Sequence, residues 1–208
     1  MWFAILITVL TGYLLGNCNG AVIMSRLIAH EDVRSQGSGN AGLTNFARNY
    51  GGLGSLAVVL IDGGKAAAAC FAGGLMLSHY GLYREGMAIG GLALMVGHDF
   101  PLLLGFKGGK GILSGCVIGF VIDWRIGAIA LAVFLLLYFL TWYVSLGSVV
   151  GVIAFGIGFA VFQHNSPIVW ICGVIMSVLA VYMHRSNIVR LIKGQERKTN
   201  LFKKGQKK

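Results

Sequence analysis

Long apolar runs alternate with short polar stretches along the whole chain. Seven such runs stand out, at residues 2–29, 51–78, 86–105, 109–123, 125–142, 147–163 and 167–185. A helix needs about 20 mostly apolar residues to cross the hydrocarbon core of a bilayer. The pattern therefore predicts an all-α, polytopic integral membrane protein with seven transmembrane helices.

The junction between the fourth and fifth runs allows two interpretations. Only Asp123-Trp124-Arg125 separates these two short runs. The pattern fits a tight turn between two helices, and it also fits one bent helix. The choice changes the number of helices and therefore the topology.

Glycine is concentrated in several of the apolar runs. Examples are Gly51-Gly52-Leu53-Gly54 and the stretch from Gly86 to Gly91. Small residues let membrane helices approach one another backbone to backbone. We therefore expect close helix packing at these runs.

The composition supports a membrane location. The chain is 56% hydrophobic and 12% charged, with a mean hydropathy of +0.77, whereas a soluble domain carries about 25% charged residues. The excess apolar residues must face lipid. The first run lacks a basic start and a small-residue cleavage site, so we interpret it as a retained helix.

The net charge of +10 is concentrated at the C-terminal end. The basic residues of this end are Lys193, Arg197, Lys198, Lys203, Lys204, Lys207 and Lys208. We interpret residues 193–208 as a basic cytoplasmic tail that contacts anionic lipid, and residues 1–192 as the membrane domain. No folded module accompanies the charge, so nucleic-acid binding is not expected.

The distribution of basic residues between the loops indicates the orientation. With seven spans, the loops at 30–50, 98–110 and 142–147 lie on the same side as the tail. The loop cations then divide unevenly, with Arg34, Arg48, Lys107 and Lys110 on that side and Arg84 and Arg125 on the other. Because cytoplasmic loops are enriched in Lys and Arg, we expect the N-terminus outside and the C-terminus in the cytoplasm.

The four cysteines give no sign of a metal site. Cys18, Cys70, Cys116 and Cys172 each lie inside an apolar run, at spacings that fit neither a zinc motif nor a disulfide framework. We interpret them as small buried or lipid-facing residues. No metal and no cofactor are expected.

The first polar cluster runs from Arg34 to Asn45 and is followed by Arg48. Gly37, Gly39 and Gly42 match the dinucleotide fingerprint G-x-G-x-x-G. That fingerprint requires a preceding strand, and here a membrane helix precedes it. A flexible polar loop is one interpretation, but the glycines with Ser, Asn and Thr donors favour an anion-binding nest.

The second cluster separates two long apolar runs and ends in Lys107-Gly108-Gly109-Lys110-Gly111. Glycine allows the backbone to approach an anion closely, and the lysines add positive charge. Gly111 stands where a nucleotide-binding P-loop has Ser or Thr, so a nucleotide site is not supported. We expect a phosphate or another anion to bind here.

Two further polar groups lie at membrane depth. Asp62 and Lys65 stand three positions apart on one helical face, so a structural ion pair and a role in the site are both open. His98, which adjoins Asp99, is more typical of a packed, hydrogen-bonded histidine than of a catalytic base.

The last two clusters lie at predicted helix ends. Ser145 and Ser148 are three positions apart beside Trp142 and Tyr143, which are typical of a membrane interface. In the stretch from His184 to Glu196, His184 and Asn187 share a helical face. Ordinary helix-end polarity explains that stretch, and so does a polar substrate at the interface.

Together these clusters resemble the bacterial acyl-phosphate:glycerol-3-phosphate acyltransferase family, the PlsY type. The order and spacing of the motifs extend the resemblance over nearly the whole chain. The motifs are Gly37-Ser38-Gly39-Asn40-x-Gly42-x-Thr44-Asn45, Gly97-His98-x-Phe100-Pro101 through Phe106-Lys107-Gly108-Gly109-Lys110-Gly111, Ser145-Leu146-x-Ser148 and His184-Arg185-x-Asn187-Ile188-x-Arg190-Leu191.

The resemblance implies a multi-pass enzyme of the bacterial cytoplasmic (inner) membrane with a site that faces the cytoplasm. It implies transfer of a fatty acyl group from acyl phosphate to the 1-hydroxyl of sn-glycerol 3-phosphate, which gives lysophosphatidic acid and phosphate in phospholipid biosynthesis. Membrane lipid is an implied partner, and the enzyme that makes acyl phosphate is a further candidate.

The resemblance also implies three groups of site residues. Catalytic roles fall to Ser38, Arg48, Lys110, Ser148, His184 and Asn187. Substrate and phosphate binding falls to Gly37, Gly39, Asn40, Thr44, Asn45, Lys107, Gly108, Gly109 and Gly111. Supporting roles fall to Asp62, Lys65, His98, Ser145 and Arg185. The chain departs from the family pattern at Leu43, Ala66, Trp142 and Ser186, where the family usually has Ala, Gly, a basic residue and Glu.

Several alternatives stay open at this level. The proton of the attacking hydroxyl is accepted by a substrate phosphate, which we favour, or by His184. Acyl-carrier-protein and coenzyme A donors are less favoured because no docking surface for a bulky carrier is evident. An anion transporter also uses glycine loops and buried charges, but the external loops carry few polar residues. A purely structural membrane protein would leave the polar loops unexplained.

Overall fold

The computed structural model describes residues 1–199, and these are helical, with no β-strand among them. The α-helices are α1 (Trp2–Asn17), α2 (Gly20–Ala29), α3 (Leu43–Asn49), α4 (Gly52–Ser78), α5 (Tyr83–Asp99), α6 (Ile112–Ile122), α7 (Trp124–Thr141), α8 (Val144–Phe162), α9 (Pro167–Met183) and α10 (Arg185–Ile192). Two short 3₁₀ helices, Val33–Ser35 and Leu102–Leu104, lie in the loops. The all-α prediction is confirmed, whereas Lys203, Lys204, Lys207 and Lys208 of the predicted tail lie outside the described residues.

Within residues 1–199, five helical stretches are long and apolar enough to cross a membrane. They are Trp2–Ala29, Gly52–Ser78, Tyr83–Leu104, Trp124–Thr141 and Val144–Phe162. A sixth candidate is α9 together with α10, which are bent by 56° relative to each other. With 11 residues, α6 is about 16 Å long, against the roughly 30 Å of a bilayer core. Several spans are therefore present, and the count of seven stays a prediction.

A tight turn joins α6 to α7. Asp123 adopts an extended conformation, with φ −155° and ψ 110°, and its carboxylate accepts a hydrogen bond from the Arg125 backbone N–H at 3.1 Å. Gly119 and Gly127 lie against each other on either side of the turn, since a Cβ on Gly119 would lie 3.2 Å from the Cα of Gly127. The two-helix interpretation of this junction is therefore correct, and the bent helix is excluded.

The first apolar run is interrupted, which the pattern did not indicate. Helix α1 ends at Asn17, and α2 begins at Gly20. Asn19 caps α2 by accepting a hydrogen bond from the Val22 N–H at 3.0 Å. The break therefore lies at Asn17-Cys18-Asn19, within a stretch that is otherwise largely apolar.

The ion pair between Asp62 and Lys65 stabilises this break. The two side chains are buried and lie 2.8 Å apart. Asp62 accepts a hydrogen bond from the Gly20 N–H at 3.0 Å, and Lys65 donates to the Cys18 carbonyl at 2.5 Å. Asp62 thus places a negative charge at the start of α2, and Lys65 places a positive charge at the end of α1. Each charge is favourable for the dipole of the helix it contacts. The ion pair is therefore present, in agreement with the structural interpretation, one of the two that the sequence left open.

Helices α4 and α5 pack backbone to backbone. A Cβ on Gly73 would lie 2.2 Å from the Gly86 carbonyl oxygen, and one on Gly90 would lie 2.4 Å from the Ala69 carbonyl oxygen. The prediction of close packing is confirmed for Gly86 to Gly91. At Gly51 and Gly52 it is wrong, because these residues begin α4 with φ of 59° and 56°, and a Cβ on Gly52 would meet nothing within 4 Å.

A small core anchors α3 to the end of the bundle. Its members are fully or almost fully buried and come from α2, α3, α4 and the loop between α2 and α3. They are Ala21, Val22, Val33, Ala41, Phe46 and Val58. This packing places α3, and with it Arg48, beside the ends of the longer helices.

Candidate active site

The four polar clusters of the sequence meet around one cavity of about 900 Å³. The cavity lies where α4, α6 and α8 begin and where α7 and α9 end. All six residues with a predicted catalytic role line it, namely Ser38, Arg48, Lys110, Ser148, His184 and Asn187. Residues as far apart in the chain as Ser38 and Asn187 therefore come together in one site.

Most of the predicted binding and supporting residues line the same cavity. They are Gly37, Gly39, Asn40, Thr44, Asn45, Gly111, Asp62, His98, Ser145 and Arg185. Lys107 instead lines a neighbouring cavity of about 560 Å³ beside Arg34. Lys65, Gly108 and Gly109 are not among the lining residues of either cavity.

The loop from Gly37 to Asn45 is organised by one side chain. The Asn45 oxygen accepts from the Ser38 N–H at 2.9 Å, and its nitrogen donates to the carbonyls of Val33, Gln36 and Asn40 at 2.9–3.1 Å. Asn45 is buried. Its amide therefore holds the loop in shape, which leaves Ser38 and Asn40 at the cavity.

The glycines of the central loop are required by packing. The Gly108 N–H donates to the Asp99 carbonyl at 3.2 Å, and the Gly109 N–H donates to the His98 carbonyl at 3.0 Å. A Cβ on Gly109 would lie 2.1 Å from Nε2 of His98. These N–H groups are therefore not directed at an anion, and the loop presents positive charge to the cavity through Lys110.

Lys110 contacts Asn187 across the cavity. Its ammonium group donates to the Asn187 side-chain oxygen. Burial lowers the pKa of Lys110 to about 8, and the nearby Arg190 adds to this effect while Glu196 opposes it. Lys110 is therefore charged at neutral pH and loses its proton under mildly alkaline conditions.

Arg48 supplies a second half-buried cation from the last turn of α3. Its guanidinium group donates to the Thr199 hydroxyl. Burial lowers the pKa of Arg48, and Arg197 and Arg190 act in the same direction against Glu196. A guanidinium stays charged throughout the physiological range, so Arg48 offers a fixed positive charge to an anionic ligand.

His184 lies at the bend between α9 and α10. Its Nδ1 lies 2.8 Å from the Ala180 carbonyl oxygen. A carbonyl can only accept a hydrogen bond, so Nδ1 carries the proton and the neutral ring keeps a lone pair on Nε2. Since His184 also lines the cavity, this nitrogen can act as a base or as a hydrogen-bond acceptor.

His98 is buried among polar groups, as predicted. Its Nδ1 lies 2.9 Å from the Lys65 ammonium nitrogen and 4.0 Å from an Asp62 oxygen. His98 is 5% exposed. The imidazole therefore links the ion pair of α4 to the glycine loop, since Gly109 packs on its other nitrogen.

Apolar side chains form a second part of the cavity wall. They include Leu56, Val59, Leu131, Phe134, Val152 and Phe155. A single ligand with a charged head and a long apolar tail would match both parts. Within residues 1–199, no group of three or more His, Cys, Asp or Glu side chains that could hold a metal ion is found.

Three charged residues of the cavity received no role from the sequence. Arg190, Glu196 and Arg197 line it alongside the predicted residues. The signal for Arg190 was its place in the motif that begins at His184, three positions after Asn187. Glu196 and Arg197 follow the last helix, where no periodic pattern indicates direction.

Comparison with known proteins identifies relatives over nearly the whole chain. The family model for glycerol-3-phosphate acyltransferase matches residues 6–194. The glycerol-3-phosphate acyltransferase of Thermoanaerobacter sp. (strain X514) is 37% identical over 192 residues, which cover 92% of this chain and 94% of the relative. That of Clostridioides difficile (strain 630) is 35% identical over 212 residues, which cover 99% and 98%.

Two solved structures share the fold. The crystal structure of PlsY (YgiH), an integral membrane glycerol 3-phosphate acyltransferase, in its glycerol 3-phosphate form superposes with a TM-score of 0.85 at 28% identity, and covers 96% of this chain and 99% of that one. The lysophosphatidic acid form gives a TM-score of 0.82 at 27% identity, with coverage of 95% and 96%.

Proposed function

The chain belongs to the glycerol-3-phosphate acyltransferase family, as an integral membrane member of the PlsY type, and from this premise we propose its reaction in detail. It transfers a fatty acyl group from acyl phosphate to the 1-hydroxyl of sn-glycerol 3-phosphate. The products are lysophosphatidic acid and inorganic phosphate, in phospholipid biosynthesis.

The observation that carries this proposal is the two-part character of the cavity. Arg48 and Lys110 place two half-buried cations at its polar part, and apolar side chains from α4, α7 and α8 line the remainder. Acyl phosphate has a phosphate head and a hydrocarbon tail, and glycerol 3-phosphate is small and anionic. The cations match two phosphates, and the apolar part matches one acyl chain.

The chemistry needs no covalent intermediate. Acyl phosphate is a mixed anhydride, so its carbonyl carbon is already activated. The glycerol hydroxyl oxygen attacks this carbon, the bond from the carbonyl carbon to the phosphate oxygen breaks, and inorganic phosphate leaves. Most of the rate then comes from positioning of the two substrates and from charge complementarity.

The groups that stabilise the developing charge are side chains. The Gly108 and Gly109 N–H groups donate hydrogen bonds to backbone carbonyls. They are therefore not available to stabilise the oxyanion. The Ser148 hydroxyl donates to the Val144 carbonyl oxygen at 2.9 Å, whereas Lys110 and the Ser38 hydroxyl remain at the cavity as donors. They would stabilise the oxyanion and the leaving phosphate.

The hydroxyl proton passes to an oxygen of a substrate phosphate in the mechanism we favour. Nε2 of His184 is the alternative acceptor, since its lone pair is free when the ring is neutral. A backbone carbonyl orients this ring, and a carboxylate does not. That arrangement would strengthen the imidazole as a base less than a carboxylate would.

We further propose seven spans, with the N-terminus outside and the cavity open to the cytoplasm, in the bacterial inner membrane. Support comes from the helices found at each predicted apolar run and from the convergence of the positively charged loops at one end of the bundle. Thiol labelling of single cysteines in intact cells, at Lys107 and at Arg84, tests this orientation. Protection of position 107 and labelling of position 84 are expected.

Purified protein in detergent, supplied with acyl phosphate and glycerol 3-phosphate, tests the proposed reaction. Lysophosphatidic acid and inorganic phosphate should appear in equal amounts. Uptake of glycerol 3-phosphate into sealed vesicles, without any lysophosphatidic acid in the detergent assay, would instead identify a transporter.

A further inference from the structure

The segment after α10 enters the cavity, although it lies beyond residues 6–194 that the family model matches. The chain turns back at Gly194, whose φ is +65°, and the Gln195 N–H donates to the Arg190 carbonyl at 2.8 Å. Glu196 then lies among the lining residues. Its side chain is 7% exposed, so its carboxylate is a constituent of the site.

The Glu196 carboxylate is held by two partners on α10. One oxygen accepts from the Asn187 side-chain nitrogen at 2.8 Å, and the other accepts from Nε of Arg190 at 2.6 Å. Burial acts to raise the pKa of Glu196, but the hydrogen bonds from Asn187 and Arg190, the nearby Ser145 hydroxyl and the charge of Arg190 outweigh it, and the pKa is lowered. Glu196 is therefore an anion at neutral pH.

This contact determines which way the Asn187 amide faces. A carboxylate only accepts hydrogen bonds and an ammonium group only donates them. With Glu196 on one side and Lys110 on the other, the amide nitrogen must face Glu196 and the amide oxygen must face Lys110. The three side chains thus form one chain of hydrogen bonds that ends at the Lys110 ammonium group.

The segment is anchored beyond Glu196 as well. The Thr199 N–H donates to the Trp142 carbonyl at 2.9 Å, and the Thr199 carbonyl accepts from the Tyr138 hydroxyl at 3.1 Å. Its hydroxyl contacts Arg48. Because both sides of Glu196 are attached to the bundle, its carboxylate has a defined position.

The charge around Lys110 explains what this carboxylate contributes. Lys110 is surrounded by three cations from two helices, which are Arg48 on α3 and Arg185 and Arg190 on α10. Asp62, the other carboxylate on the cavity wall in the described part of the chain, is paired with Lys65. Glu196 is thus the carboxylate that offsets the repulsion within this cluster.

We propose that Glu196 is a positioning residue for acyl transfer: it holds the Asn187 amide so that its oxygen fixes the Lys110 ammonium group where the substrate phosphates bind. This inference rests on the proposed function, since Lys110 is given its role by that reaction. Glu196 itself need not touch either substrate. Its charge also keeps Lys110 protonated to higher pH.

Two variants separate the orienting role from the charge. Glu196→Ala removes the acceptor and the charge, and should lower kcat by about 10-fold or more, because misplacement of one catalytic group is costly. Glu196→Gln keeps an oxygen that can accept from Asn187, and should recover most of kcat. In both variants the alkaline loss of kcat/KM should move to lower pH, because Lys110 loses a nearby negative charge.

The control is Glu85→Gln, which removes a carboxylate that pairs with Ser166, far from the cavity residues. It should leave kcat and the pH profile unchanged. Binding of glycerol 3-phosphate, followed by calorimetry across the same pH range, gives a readout that does not depend on turnover. The apparent melting temperature of each variant reports on folding.

The outcomes are distinct. Glu196→Ala with wild-type or higher activity and a lower KM for glycerol 3-phosphate would overturn the proposal, because Glu196 would then compete with phosphate. Equal losses in both variants, with a lower melting temperature and an unmoved pH profile, would also overturn it by showing a structural role only. If the wild type transfers no acyl group, the proposed function fails, and the pH dependence of glycerol 3-phosphate binding still decides the role of Glu196.

Discussion

Lys110 and Asn187 contact each other across the cavity although 77 positions separate them in the chain. Lys110 follows the glycine loop, and Asn187 belongs to α10. Each residue came from a separate polar cluster of the sequence. Their contact brings the central loop and the last cluster into one site, where Arg48 adds a second half-buried cation.

Removal of the Lys110 charge should remove most of the activity. Lys110→Ala is expected to lower kcat/KM by about 100-fold, because one charged donor to the developing anion is lost. Lys107→Ala is the matched control, since Lys107 lines the neighbouring cavity, and it should have a much smaller effect. Steady-state kinetics with both substrates measure this. Equal losses for the two lysines would show that the main cavity is not the phosphate site.

The pH dependence should reflect the lowered pKa of Lys110. The group is charged below its pKa of about 8 and neutral above it. We therefore expect kcat/KM for glycerol 3-phosphate to fall as the pH rises through about 8. Lys110→Arg should shift this loss to higher pH, since a guanidinium keeps its proton. An unchanged alkaline loss in Lys110→Arg would assign it to another group.

Substitution of His184 tests which group accepts the hydroxyl proton. If a substrate phosphate is the base, His184→Ala should lower kcat by about 10-fold or less, since removal of a general base typically costs 100-fold or more. The matched control is His164→Ala. Nδ1 of His164 lies 2.9 Å from a backbone carbonyl oxygen, as in His184, but the His164 side chain is exposed. Complete loss of turnover in His184→Ala, with intact binding of both substrates, would make His184 the base.

Gly109 should not tolerate a methyl group. In Gly109→Ala the new Cβ would collide with the His98 imidazole, 2.1 Å away, and with the Ala41 carbonyl oxygen, 2.9 Å away. Such overpacking destabilises by about 1–3 kcal/mol and would displace Lys110. We expect a lower apparent melting temperature together with lower activity.

Gly64→Ala is the comparison for this variant. Gly64 lies inside α4, and a Cβ there meets nothing within 4 Å. Alanine favours a helix over glycine by about 1 kcal/mol, so the melting temperature should not fall. A loss of stability in Gly64→Ala equal to that in Gly109→Ala would refute the packing explanation.

Much of the fold could be predicted because the relevant information is local. Apolar runs have the length of helices, and the helices are found there. The spacing of Asp62 and Lys65 places them on one helical face, and they do pair. The glycines from Gly86 to Gly91 predicted close helix packing, because a residue without a side chain lets two helix backbones approach each other wherever it occurs.

Features that depend on contacts between distant parts of the chain could not be predicted from local sequence patterns. The break between Asn17 and Gly20 lies inside a run that has the length of one span, and it is held by contacts from Asp62 and Lys65 of α4. The contact of Arg48 with Thr199 joins residues 151 positions apart. Likewise, the direction of the Gly108 and Gly109 N–H groups is determined by the carbonyls of His98 and Asp99, which no local pattern reveals.

A comparison of acyl donors tests the central claim most directly. Purified protein, glycerol 3-phosphate and one donor at a time (acyl phosphate, acyl-coenzyme A or acyl-carrier protein of the same chain length) would be assayed for lysophosphatidic acid, alongside Lys110→Ala. Product from acyl phosphate alone, lost in the variant, is the predicted result. Equal or faster transfer from a carrier-bound donor would contradict a cavity built to hold two phosphorylated substrates.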